Sequence, residues 1–251
     1  MSPEGHQGFP VLRLFSLVTV GQYIDAEALY RPLVEARQRG DGRDTNELHD
    51  DIFRLALLVH MQGRHQEAEQ YFHQVVQHRE QQFGSQNVNT LRSINFLAEA
   101  MTAQKKNNEA MQLYRTIMEQ YSVYNGDARD EALKGADNLA QLLATQGQLA
   151  EAENMGRWLV SEREQLIGKD HLDTLVCVHT LARIVFKKKQ YRDALGLYRR
   201  AYLGTRELLG HEHLDTKDFF AGYELARCAV ERIYTVLLSE SERAVSCQIT
   251  K

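Results

Sequence analysis

Asp137 and His179 lie 42 residues apart, and Arg183 follows His179 by four. An aspartate that orients an imidazole, with a guanidinium one helical turn further on, is suited to moving a proton and steadying the resulting charge. If Asp137 and His179 occupy equivalent places on neighbouring helices roughly 8 to 10 Å apart, their side chains can meet across the gap. A small-molecule enzyme or ligand sensor built on His179, Asp137 and Arg183 is therefore one reading. It lacks support elsewhere in the chain, which carries no nucleophile motif, no glycine-rich phosphate loop and no cluster with metal-ligand spacing. His211 and His213 flank Glu212, but two histidines fall short of the ligand count of a zinc site. Their alignment with His171 reads as loop residues capping the following helix. Neither a metal nor another cofactor is expected.

The interval of 42 recurs throughout. Glycines stand at 42, 84, 126, 168 and 210, and the dipeptides Asp25-Ala26, Glu67-Ala68, Glu109-Ala110, Glu151-Ala152 and Asp193-Ala194 keep the same step. Two independent marks in lockstep over five copies are the signature of a helical solenoid, in which stacked neighbours bury what one unit cannot. Only 3 prolines in 251 residues favour an all-α chain. With 30 basic against 34 acidic residues, there is no chain-wide electrostatic footprint for nucleic acid. Lys187-Lys188-Lys189 reads as a solvated helix end, favourable against the helix dipole. The apolar stretch Phe9 to Val20 carries Arg13 and is shorter than the ~20 residues of a membrane span. Three widely separated cysteines suggest neither a disulfide framework nor a zinc site, which points to a reducing, cytoplasmic setting.

Taken in order, the pattern predicts a single helical-repeat domain over 1–251. Residues 9–40 form a degenerate first pair, whose second helix (about Tyr23 to Arg39) should kink or split at Pro32. Four regular copies follow at 42–83, 84–125, 126–167 and 168–209. Their A helices are expected at about Asn46 to Met61, Val88 to Ala103, Asp130 to Thr145 and Leu172 to Lys187. Their B helices are expected at about His65 to Gln82, Asn108 to Tyr124, Leu149 to Ile167 and Tyr191 to Leu209. A long amphipathic helix over 210–240 caps the last core face, and 241–251 is a polar tail.

Within the copies, Leu55, Leu97, Leu139 and Leu181 each precede an alanine, and Ala26, Ala68, Ala110, Ala152 and Ala194 line helix B. Large beside small lets neighbouring helices approach closely. One turn after the helix B alanines runs an aromatic column, Tyr30, Phe72, Tyr114, Gly156 and Tyr198. Trp158, the only tryptophan, either fills the space Gly156 leaves or stands out as an aromatic anchor for a partner.

The opening Gly168-Lys169-Asp170-His171-Leu172-Asp173-Thr174-Leu175, the Leu-Ala pair and the turns Gly63 to Ala68 and Gly147 to Ala152 resemble the 42-residue, kinesin-light-chain-like class of tetratricopeptide repeats. The resemblance covers roughly residues 9 to 238. Lys105 and Lys189 depart from it where the family has a turn glycine, and Asn87-Val88-Asn89 and Ala128-Arg129-Asp130 blur the opening. With no long heptad segment ahead of the repeats, a complete kinesin light chain is not expected. The resemblance implies a right-handed α-α superhelix whose A helices line a concave groove, commonly occupied by peptides of other proteins.

On that packing, four columns face the groove: Asp50, Arg92, Lys134 and Val176; Phe53, Asn95, Asp137 and His179; Leu57, Glu99, Gln141 and Arg183; His60, Thr102, Ala144 and Phe186. Arg92, Lys134 and Arg183 suit the carboxylates of an acidic partner, and Phe53, Leu57 and Phe186 suit apolar side chains. The leading expectation is a scaffold that holds a peptide or protein segment, with no nucleic acid and no membrane among its partners. A further alternative is self-assembly as a homodimer through the terminal helix, where Phe220, Leu225, Val236 and Leu238 lie beyond the main apolar stripe.

Overall fold

A computed structural model describes residues 23–40 and 45–249, with side chains as far as 235. The expected helix at 9–20, the N-terminal tail, Gly42 and the side chains of Val236 and Leu238 lie outside the described residues. All regular structure among the described residues is helical. The chain divides into two compact units, Met1–Gly135 and Ala136–Lys251.

The first unit contains α1 (Tyr23–Arg39), α2 (Asn46–Met61), α3 (His65–Phe83), α4 (Val88–Ala103), α5 (Asn107–Glu119), a short 3-10 turn (Tyr121–Val123) and the start of α6 (Gly126–Thr145). Each of α1 to α4 packs on the next. The second unit contains the rest of α6 and α7 (Leu149–Ile167), α8 (Leu172–Lys187), α9 (Tyr191–Leu209) and α10 (Leu214–Ile249). There α8 packs on α7 and α9, and α9 packs on α10. The core in both units is the predicted set of columns: the leucines at 55, 97, 139 and 181 and every alanine beside them are buried, as are Ala26, Ala68, Ala110, Ala152 and Ala194.

The repeated glycines have a backbone cause. Gly84, Gly168 and Gly210 close their B helices at φ of 81°, 93° and 82°, where a β-carbon is strained. The next helix then starts from a side-chain cap. Asn89 N–H donates to Asn87 Oδ1 at 2.8 Å, Asp173 N–H to His171 Nδ1 at 3.2 Å, and Asp215 N–H to His213 Nδ1 at 3.2 Å. The histidine of the repeat opening is thus a cap, as expected for His213.

Of the two outcomes expected at Pro32, a kink or a split, the split does not occur: α1 is one helix from Tyr23 to Arg39. Three further local expectations need correction. The third B helix stops at Glu119 and tightens into the 3-10 turn, while α6 begins at Gly126, four residues early. The last helix does not give way to a tail at 241 but continues to Ile249, since no proline interrupts it. The space beside Gly156 is filled from α8 rather than by Trp158: a β-carbon there would meet Leu181 Cδ1 at 3.1 Å and Ile184 Cδ1 at 3.8 Å. Trp158 itself is half-buried and has a partner.

Candidate functional site

An α-helix turns 100° per residue, so positions i, i+4, i+7 and i+11 share one stripe. On α2 the stripe that reaches solvent is Asp50, Arg54, Leu57 and Met61: three are exposed and Leu57 is half-buried. The equivalent stripe on α4 is Arg92, Phe96, Glu99 and Ala103, all exposed or half-buried. In the second unit α8 presents Val176, Arg183 and Lys187, all exposed, with Thr180 buried between them. The columns headed by Asp50 and Leu57 therefore face outward.

The column of Phe53, Asn95, Asp137 and His179 does not. Three residues after the outward column, it is rotated into the interface with the following helix, and each member is built into packing. Phe53 meets Phe72 and Phe96 edge-on at 5.8 and 5.7 Å and carries the Arg79 guanidinium 4.7 Å from its ring centre. Asn95 is buried, and its Nδ2 donates to the Glu131 carbonyl at 2.8 Å. In the column of His60, Thr102, Ala144 and Phe186, Ala144 is buried and the other three are half-buried. The residues that take over on the outward face are Arg54, Phe96 and Asn138, together with Met61, Ala103, Thr145 and Lys187. Helical spacing alone could have found them.

The proton-transfer cluster is not assembled. Asp137 Oδ2 accepts from Gln141 Nε2 at 2.8 Å, and Oδ1 is buried without a partner. Burial raises the Asp137 pKa, against hydrogen bonds from Gln141 and Thr180 and the charges of Arg163 and Arg183. His179 turns instead toward α10. It stacks on Phe219 at 4.1 Å, meets Tyr198 edge-on at 5.4 Å, and its Nε2 lies 4.0 Å from Asp218 Oδ2. Burial pulls its pKa down to about 4 despite Asp218, so at neutral pH it is an uncharged packing ring. Among the described contacts, Asp137 and His179 each take partners other than one another.

The basic residues also divide. Arg92 Nε donates to Glu131 Oε1 at 3.1 Å, and Lys134 Nζ reaches Asp130 and Glu131 at 3.1 Å each. Asp50 takes the Arg79 guanidinium at 2.5 Å. Arg183 is exposed on α8 and acts on Asp137, His179 and Tyr198 only through its charge. Of the three cations expected to meet an acidic partner, Arg92 and Lys134 are already paired within the fold.

A ladder of carboxylates joins successive repeats and was not read from the sequence. Glu27, Glu69 and Glu153 follow the helix B alanine, and each is bound by the A–B turn of the next repeat. Gln62 Nε2 and Arg64 Nη1 donate to Glu27 Oε2 at 2.6 and 2.7 Å. Gln104 and Lys106 do the same for Glu69, and Lys188 for Glu153. Met111 stands at the corresponding place in the third repeat. The signal was available, since the glutamates and their donors both keep multiples of the 42-residue step.

Among the described residues no group of three or more His, Cys, Asp or Glu side chains is placed to hold a metal. Among them too, no helix is long and apolar enough to cross a membrane.

The fold has close solved counterparts. A kinesin-light-chain-like protein of Podosopora anserina with nearly identical TPR-like repeats aligns at a TM-score of 0.69 and 21% identity, over 83% of this chain and 98% of that one. The apo form of RapI aligns at a TM-score of 0.72 and 13% identity, over 94% and 84% of the two chains. A Rap conjugation gene regulator of the plasmid pLS20, in complex with the Phr* peptide, aligns at 0.67 and 14% identity, over 94% of this chain and 62% of that one. No curated protein sequence matches. The tetratricopeptide repeat model matches residues 51–122 and 138–207, more than half of the sequence. On that match, the chain belongs to the tetratricopeptide repeat family.

Proposed function

We propose that the protein is a cytoplasmic interaction module that holds a peptide or protein segment on the outward face of its A helices. The observation that carries this is the composition of that face. Leu57, Met61 and Phe96 leave apolar surface open in the first unit, and Val176 and Arg183 do so with a cation in the second. Apolar pockets beside fixed polar groups are what an extended peptide uses for affinity and register. The Rap structure that contains the Phr* peptide supports the reading, because it shares this fold. An acidic preference in the partner rests on Arg183, since Arg92 and Lys134 spend their charge on Asp130 and Glu131.

A peptide array probed with the full chain tests it. The expected outcome is a discrete set of captured sequences that Phe96→Asp and Arg183→Glu each lose while helical circular dichroism is unchanged. Capture that ignores both substitutions, or no capture, overturns the reading. Alanine at Arg92 and Lys134 should change binding less than alanine at Arg183.

A second reading, self-association through α10, is favoured by Phe220 and Leu225, which are 43% and 56% exposed. Light scattering at micromolar concentration decides it, and a strict monomer removes it.

A further inference from the structure

The turn between α8 and α9 is the most basic of the turns that join an A helix to its B helix. Lys187, Lys189 and Arg192 are all exposed there. The same places hold Met61, Gly63 and Gln66 in the first regular copy, and neither the second nor the third copy carries more than one cation at them. Packing of the repeat therefore does not ask for this charge. Beside it lies a cleft of about 340 Å³ lined by Lys189, Tyr191, Arg192 and Asp193 of the turn and by Val230 and Ile233 of α10. We propose that this cleft docks an acidic segment of a partner protein, which seats one apolar side chain on Val230 and Ile233 while Lys187, Lys189 and Arg192 hold the carboxylates that flank it.

The floor of the cleft is open because the repeat stops here. Val230 lies 42 residues after Lys188 and 126 after Gln104, at the place from which those two side chains reach back to a glutamate of the preceding copy. The last helix runs on through that place to Ile249, and the glutamate's own position is taken by Leu195. No rung of the carboxylate ladder can form, and apolar side chains are left at the opening, with Ile233 39% exposed. The rim is open in charge as well. Lys188 is paired with Glu153, whereas among the described residues Lys187, Lys189 and Arg192 join no such ion pair. Arg192 is held by Tyr234 instead, with its guanidinium carbon 4.9 Å from the ring centre, a contact that fixes the side chain and leaves its charge uncompensated. Asp193 is the single carboxylate of the lining, so the rim stays positive. Cations around an apolar floor complement a segment that mixes acidic and apolar residues. The formal charge of -4 over the whole chain gives a nucleic acid nothing to follow beyond this patch. The volume is at the small end of ligand sites, roughly 300 to 1,000 Å³, and suits one anchoring side chain.

Fluorescence polarisation of the full chain with a short labelled peptide, one leucine between runs of aspartate, tests the site. The expected result is saturable binding that weakens as salt is raised. Replacing the leucine by serine, or the aspartates by asparagine, should abolish it. Lys187→Met/Lys189→Gly/Arg192→Gln, which installs the residues of the first regular copy, should bind about tenfold more weakly or worse with unchanged circular dichroism. Ile233→Glu keeps all three cations but puts a like charge on the floor. It should weaken binding to a similar degree and covers the case in which the triple variant does not fold. No saturable binding by the wild type, equal affinity in either folded variant, or capture of anionic vesicles or single-stranded DNA in place of the peptide overturns the proposal. The outward face has its own test in Phe96→Asp, so the two readings fail separately.

Discussion

Lys106 of one repeat donates to both carboxylate oxygens of Glu69 in the preceding repeat, at 2.8 and 2.7 Å, and Gln104 Nε2 adds a further bond. Because the glutamate is buried and its donors come from the adjoining helix pair, the contact ties one repeat to the next.

Removing that acceptor takes the carboxylate away from Lys106 and leaves Gln104 only its bonds to the His65 and Ala100 carbonyls. Glu69→Ala should cost about 1 to 2 kcal/mol, the range for a hydrogen-bonded charge of which one partner is partly solvated. Lys106→Ala should cost less, because Gln104 still satisfies the carboxylate. Urea denaturation of the two variants checks both the size and the order. A loss in Lys106→Ala equal to that in Glu69→Ala counts against the ladder.

Lys105 and Lys189 hold φ at 64° in turns where Gly63 and Gly147 adopt 79°. A β-carbon costs on the order of 1 kcal/mol in that region. Lys105→Gly and Lys189→Gly should therefore each raise the thermal midpoint, by up to about 1 kcal/mol of stability. Scanning calorimetry reads the sign directly, and a fall in midpoint for both contradicts it.

The buried His179 links stability to pH. Its pKa is lowered to about 4 by burial, with Arg183 adding to the effect and Asp218 opposing it. The unfolded chain protonates this ring near its ordinary value of about 6.5. Stability associated with the neutral ring is therefore present above that value and is lost as pH falls toward 4, by something on the order of 2 to 3 kcal/mol. Compared at pH 7 and pH 4.5, the wild type should lose more stability than His179→Gln. Parallel losses would sink this assignment.

Gly222 gives Tyr198 room to lie flat against α10: a β-carbon there would stand 2.5 Å from the ring Cε1. Tyr198 is buried and its ring has no flexible end to withdraw. Gly222→Ala should then be destabilising by about 1 to 2 kcal/mol, with overpacking outweighing the helix propensity gained. Gly196→Ala on α9, where nothing lies within 4 Å, should instead stabilise. The pair measured by chemical denaturation separates packing from propensity.

What the sequence by itself determined is the repeat, its helix pairs and the buried columns, because a strict period of 42 forces equivalent residues into equivalent surroundings and small residues beside large ones mark where helices meet. The Leu-Ala pairs, the aromatic column and the capping role of His213 were all legible on that basis. Tertiary structure alone decided which way each polar side chain turned. Phe53, Asn95, Asp137 and His179 share a column only three residues from an exposed one, and the rotation of each A helix against its successor sends them inward rather than out. Likewise, Arg92 read as a free cation until the next repeat supplied Glu131, and Lys134 until its own helix brought Asp130 and Glu131 beside it, whereas among the described residues Arg183 has no such ion pair. Periodicity specifies the face of a helix to within about one position, and a hydrogen bond or an open groove is settled within that margin.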